Sequence, residues 1–154
     1  MKISDEQKKQ LGEKLPDWAI KDHPTKRGMS AIHPMAVIER LNEVFNIGGW
    51  SFYTEYISCE ESIQVTKKGT PEESTRKIYI SAVKGTLKID DLTIEQFGGS
   101  TNDDKGDALK GGGTDALTKI ASYLGIAAEI YKGHGNVDVG APAEVKTQTA
   151  PLRR

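Results

Sequence analysis

Lys77-Ile78-Tyr79-Ile80-Ser81-Ala82-Val83-Lys84-Gly85-Thr86-Leu87-Lys88-Ile89, then Asp90-Asp91, then Leu92-Thr93-Ile94-Glu95-Gln96-Phe97, is the stretch on which the fold turns. The first run is rich in β-branched residues and reads as a long strand, because branched side chains fit a pleated, half-buried surface. Two acidic residues suited to a tight turn follow it, and the chain then resumes an alternating apolar and polar pattern, so the pair reads as a hairpin. Upstream, Trp50-Ser51-Phe52-Tyr53-Thr54-Glu55-Tyr56-Ile57 alternates in the same way, and Lys67-Lys68-Gly69-Thr70-Pro71-Glu72-Glu73-Ser74 is a polar tip between the two runs. Three consecutive strands joined by turns give an antiparallel meander.

Helical periodicity flanks this meander on both sides. Pro34 suits a first helical position, Val37, Ile38, Leu41, Val44 and Phe45 recur as a buried face, and Gly48 ends the run. A shorter helix is expected from Ser4, with Gln7 completing a capping box and Pro16 marking its end. Between these helices, Lys21-Asp22-His23-Pro24-Thr25-Lys26-Arg27-Gly28 reads as a basic turn between short extended pieces.

After Gly98-Gly99, a third helix is expected from Asn102 or Asp103 to about Leu124. Leu109, Ala116, Leu117, Ile120, Ala121 and Leu124 form its apolar stripe; Lys110, Thr114, Thr118 and Ser122 form a polar one. Gly111-Gly112-Gly113 inside it costs roughly 1 kcal/mol per residue against alanine, which calls for a compensating close approach of another backbone. The expected fold is therefore α+β: a three-stranded meander packed on a long helix, a β-β-β-α core with helices before it. Residues 1–132 are assigned to the domain, and 133–154, with almost no large apolar side chain, to a disordered tail.

Composition narrows the function. No apolar run approaches the roughly 18 residues of a membrane span, the N-terminus lacks a signal peptide's apolar region, and Cys59 has no second cysteine to pair with. A cytoplasmic location in a reducing cell is expected. Lys110-Gly111-Gly112-Gly113-Thr114 has a phosphate loop's residues in the wrong order, and His23, His33 and His134 lack metal-ligand spacing. No nucleotide, metal or other cofactor is expected, and no local signature of a catalytic nucleophile is present. Asp103, Asp104 and Asp107 leave open a magnesium-dependent nuclease, although carboxylates at a helix start ordinarily serve the macrodipole.

The net charge is −1, with 21 Lys and Arg against 22 Asp and Glu, so a nucleic-acid surface requires the two signs to be segregated in space. Lys21, Lys26 and Arg27 flank a turn, Lys84 and Lys88 share one face of the long strand, and Lys110 and Lys119 lie on the third helix. Together they are read as lining a phosphate-tracking groove between helix and hairpin. The rival reading is a small α+β interaction domain on which these lysines are ordinary solvated surface.

Two blocks carry a family resemblance. Val37-Ile38-Glu39-Arg40-Leu41-Asn42-Glu43-Val44-Phe45-Asn46-Ile47-Gly48-Gly49-Trp50-Ser51 resembles the helix-to-strand junction of the Rad fifty-two family of single-strand annealing proteins. Gly106-Asp107-Ala108-Leu109-Lys110-Gly111-Gly112-Gly113-Thr114-Asp115-Ala116-Leu117-Thr118-Lys119-Ile120-Ala121-Ser122-Tyr123-Leu124-Gly125 is similar to the long helix of its phage branch, and the likeness spans roughly residues 15–132. The resemblance implies ring oligomers that hold single-stranded DNA by its backbone and anneal complementary strands without ATP, in recombination and repair. In the eukaryotic relative, basic residues of an early hairpin and of the long helix contact DNA. Lys119 matches one such helix position and Lys110 a lysine, Thr118 and Ser122 stand where that relative is basic, and Lys21, Lys26 and Arg27 align loosely with its hairpin arginine. A single-strand-binding protein or an exonuclease is the kind of protein partner implied, in the cytoplasm of a bacterium or phage-infected host.

Overall fold

Strand β4, Ser74–Ile89, is the central strand of a three-stranded antiparallel sheet, between β3, Ser51–Thr66, and β5, Leu92–Asn102. The computed structural model describes residues 2–23 and 27–132. The Asp90-Asp91 turn is as expected, with Asp90 at φ 51°, and it pairs Ile89 with Leu92. All three strands are longer than the sequence pattern suggested. Residues 74–78 of β4 pair with β3 alone, so the hairpin extends past the end of β5 as a two-stranded ribbon. One irregularity between Tyr56 and Ser58 inserts an extra residue into β3, the bulge that a long, twisted edge strand commonly carries.

The helices before the sheet are α1, Asp5–Leu11, and α2, Pro34–Phe45; a single 3-10 turn, Asp17–Ala19, stands between them. Ser4 and Gln7 form the capping box that the sequence indicated. Helix α1 stops at Gly12 rather than running to Pro16. Its C-terminal carbonyls turn instead to Arg40 of α2, whose guanidinium donates to Gln10 O at 2.7 Å and Glu13 O at 2.8 Å. Helix α2 likewise ends at Asn46, which adopts φ 64°, ahead of Gly48. The Trp50 indole N–H then donates to Asn42 Oδ1 at 2.9 Å and fixes the entry of the chain into β3.

Helix α3 covers Lys105–Tyr123, with Asp104 as N-cap, and packs on β5 and β4 far more than on β3. Strand β5 runs through Gly98-Gly99 instead of ending before them, a correction with a steric cause. A methyl group at Gly98 would run into Gly112 O and the backbone of Ala116, so the two glycines mark where helix and strand backbones touch. This is the close approach that the glycine run called for. Val83 and Ser81 lie over Gly112, and the Ser81 hydroxyl donates to Ala108 O at 2.6 Å. Thr118, read as part of a polar stripe, is buried, its hydroxyl turned back on Asp115 O at 3.0 Å.

The main core lies where α1, α2 and the C-terminal half of α3 meet the end of the sheet. Leu11, Val37, Leu41, Leu87, Ile120 and Ile126 are its largest side chains with almost no exposure. A short helix α4, Ala128–Tyr131, closes this end. Among the described residues no helix is long and apolar enough to cross a membrane. The expected tail, 133–154, lies outside the described residues.

Candidate nucleic-acid interface

Short strands on either side of the basic turn pair antiparallel. Strand β1, Ile20–Asp22, pairs with β2, Ser30–Ile32, placing Lys21 opposite Ala31. His23 N–H donates to Met29 O at 2.7 Å, and Gly28 at φ 78° permits the reversal. At the other end, Ala19 and Ile32 are buried in the core and His33 N–H donates to Ala19 O at 2.7 Å. The hairpin is thereby held against the body of the protein and leans toward α3.

Between them lies a cleft of about 460 Å³. Lys21, His23 and Met29 line it from the hairpin, Thr114, Asp115 and Lys119 from α3, and Ile130 and Tyr131 from α4. Lys119 Nζ donates to Asp115 Oδ2 at 2.8 Å, and Phe97 O stands 3.4 Å from the same ammonium. Asp115 Oδ2 also accepts the Gly99 N–H at 2.9 Å. Burial pushes the Tyr131 phenol above its ordinary value, with the Thr118 hydroxyl opposing that shift, so Tyr131 is neutral near pH 7. A cleft with lysines on both walls and a half-exposed aromatic ring can hold an extended polyanion by its charge, with a planar group against the ring.

The seven basic residues read from the sequence do not share one groove. Lys21 and Lys119 meet across this cleft. Arg27 is exposed in the hairpin turn, and Lys26 lies outside the described residues. Lys110 is on the opposite flank of α3, at the rim of a second, largely apolar groove against Ile38, Phe52 and Tyr56. Lys84 and Lys88 project from the sheet face away from α3, because Val83, Gly85 and Leu87, which alternate with them, face the helix and core. There the Lys84 ammonium pairs with Glu95 at 3.0 Å, a contact that raises its pKa, and Lys88 lies 5.4 Å from the centre of the Tyr53 ring. The expected single groove is thus corrected: strand parity turns Lys84 and Lys88 to the other sheet face, and Lys110 stands on the opposite flank of α3.

Asp115 and Tyr131 were not picked out from the sequence. The spacing of Asp115 four residues before Lys119 was a readable signal of a helical ion pair. Tyr131 had none, since its approach to Thr118 depends on the turn at Gly125, φ 90°, that folds α4 back. For the alternative metal site, Asp104 Oδ1 accepts the Asp107 N–H at 2.9 Å as an ordinary helix cap. Among the described residues no three metal-capable side chains cluster.

Compared with known families, the chain matches the Rad52/22 family of double-strand break repair proteins over residues 3–136, which includes the hairpin, the sheet, α3 and the whole cleft. The chain belongs to the Rad52/22 family. No match was found among curated proteins. Membership connects this Rad52/22 chain with DNA repair and recombination.

Proposed function

We propose that this chain binds single-stranded DNA through its phosphates in the cleft between β1–β2 and α3 and anneals complementary strands. The observation that carries the reading is the meeting of Lys21 and Lys119 across one cleft in a Rad52/22 chain. Two lysines neutralise phosphates without reading bases, which leaves base edges free to pair. Annealing so conducted needs neither nucleotide hydrolysis nor a metal, and the protein acts as a binding surface rather than an enzyme. The active form is a multi-subunit ring, in which repetition of a modest cleft gives avidity to a protomer of net charge −1. The Thr114-Asp115-Ala116-Leu117 block favours the phage or prophage branch, and with it the cytoplasm of a bacterium or infected host. An exonuclease that exposes single strands, or a single-strand-binding protein that coats them, is the partner such a role requires.

Electron microscopy with and without single-stranded DNA, combined with annealing of labelled oligonucleotides in chelator and without ATP, tests this. Rings and full annealing under those conditions are expected. Failure to bind any single strand at low salt refutes the reading and leaves an interaction domain whose lysines are solvated surface.

A further inference from the structure

The proposed strand-binding cleft contains a carboxylate where a phosphate binder would be expected to exclude one. Asp115 is held from two sides: Lys119 Nζ at 2.8 Å and the Gly99 N–H at 2.9 Å both donate to Oδ2. The pair is partly open to solvent, with 44% of the Lys119 side chain and 37% of Asp115 exposed. A phosphate that reaches Lys119 therefore meets an ammonium already neutralised by a fixed anion on the preceding helical turn. Lys119 must divide its donors between the two anions, and the carboxylate, anchored on β5, does not withdraw. Like charges within a few ångströms oppose each other, and more so in a cleft whose walls exclude part of the water.

The charge is not required by the fold. Accepting the Gly99 N–H needs only an oxygen at that place, and the amide oxygen of asparagine supplies one without charge. Resting on the proposed strand-binding reading, we infer that Asp115 is a positioning residue that holds Lys119 in the cleft and attenuates its grip. By its charge it keeps each protomer's hold on a strand weak enough for the strand to leave once paired. An annealing protein has a use for such a residue, because a strand held too tightly is not handed to its complement.

The test uses the full chain, wild type and Asp115→Asn, with a fluorescent oligonucleotide of about 10 nucleotides, short enough that few protomers act together. Anisotropy across a salt series, stopped-flow dissociation and annealing rates at saturating protein are read. D115N is expected to bind about 3–10-fold tighter at low salt and to dissociate more slowly by a similar factor. Its plot of log K against log salt should steepen by up to about 0.7, the equivalent of one more phosphate neutralised on a single strand. Annealing at saturating protein should slow. In a Lys119→Gln background the gain should fall to about twofold, what remains being direct repulsion by the carboxylate. Asp115→Ser, which removes the charge along with the oxygen that accepts the Gly99 N–H, serves if D115N does not fold, and Asp115→Glu, which keeps the charge, should show no gain in affinity. Wild type that binds, with a folded D115N of equal or weaker affinity and unchanged salt slope, overturns the inference alone; wild type that binds no strand removes the strand-binding reading beneath it.

Discussion

Replacing Gly98 by alanine should be among the most damaging single-methyl additions available in this molecule, and Gly113→Ala, on the helix that faces it, should be nearly harmless. At Gly98 the new Cβ meets backbone, Gly112 O and Ala116 N well inside van der Waals contact and Ala116 Cα at 3.0 Å. Backbone within a helix cannot yield by rotamer, so α3 must lift from β5 along its length. Overpacking costs about 1–3 kcal/mol where side chains can adjust, and a contact with rigid backbone belongs at or above about 3 kcal/mol. At Gly112 the obstacles are Val83 Cγ2 at 2.7 Å and Ser81 Oγ at 2.9 Å, side-chain atoms, and helix propensity returns about 1 kcal/mol. The net loss should be about 0–2 kcal/mol. At Gly113 only Thr54 Cγ2 at 3.2 Å intervenes, so the propensity gain should leave the variant neutral or up to about 1 kcal/mol more stable. Thermal unfolding followed by far-ultraviolet circular dichroism, at one fixed protomer concentration, reads the series. In a chain of this size about 3 kcal/mol corresponds to roughly 6–12 °C, so Gly98→Ala should melt at least that far below wild type. A Gly98→Ala protein that melts with wild type, or below which Gly113→Ala falls, would show that helix and strand backbones do not touch here.

Arg40→Met should cost about 2–4 kcal/mol, because the carbonyls of Gln10 and Glu13 lose a charged donor while the methionine still fills the space; urea unfolding checks this, and hydrogen exchange should show α1 amides losing protection first. Lys21→Ala and Lys119→Ala should each weaken single-strand binding, Lys21→Ala flattening the salt slope by about 0.7 and Lys119→Ala, whose ammonium is shared with Asp115, flattening it by less, whereas Lys84→Ala with Lys88→Ala, on the other sheet face, should leave affinity within about twofold. An anisotropy titration in which the sheet-face pair matters more than the cleft pair would relocate the site. Truncation after Lys132 should preserve a cooperative melt within a few degrees of the full chain, since the core closes with Ile126 and Ala127; a lost transition would show that 133–154 contributes to folding.

Much of the fold was legible because its signals are local. The Ser4–Gln7 box, proline at the first position of α2, the Asp90-Asp91 turn and the β-branched run of β4 each act over a few residues, and each appears where expected. Element ends were less legible. Gly98-Gly99 reads locally as a break, yet β5 continues through it because the absent side chains make room for α3. Arg40 stands outside the apolar face read for α2 and is nevertheless buried, since its partners lie about 30 residues earlier in the chain.

The candidate site divides along the same line. By itself the sequence determined the element order, the α+β class, the close approach at the glycine run, and the fact that Lys84 and Lys88 share one strand face, since alternation along a strand is a property of the backbone. Only the tertiary structure decided which face α3 covers, and so which cations meet. Burial of Val83 and Leu87 against the helix and core turned Lys84 and Lys88 to the other side, while the β1–β2 hairpin, anchored through Ala19 and Ile32, brought Lys21 across from Lys119. That meeting depends on packing between segments about 100 residues apart, where no local pattern reaches.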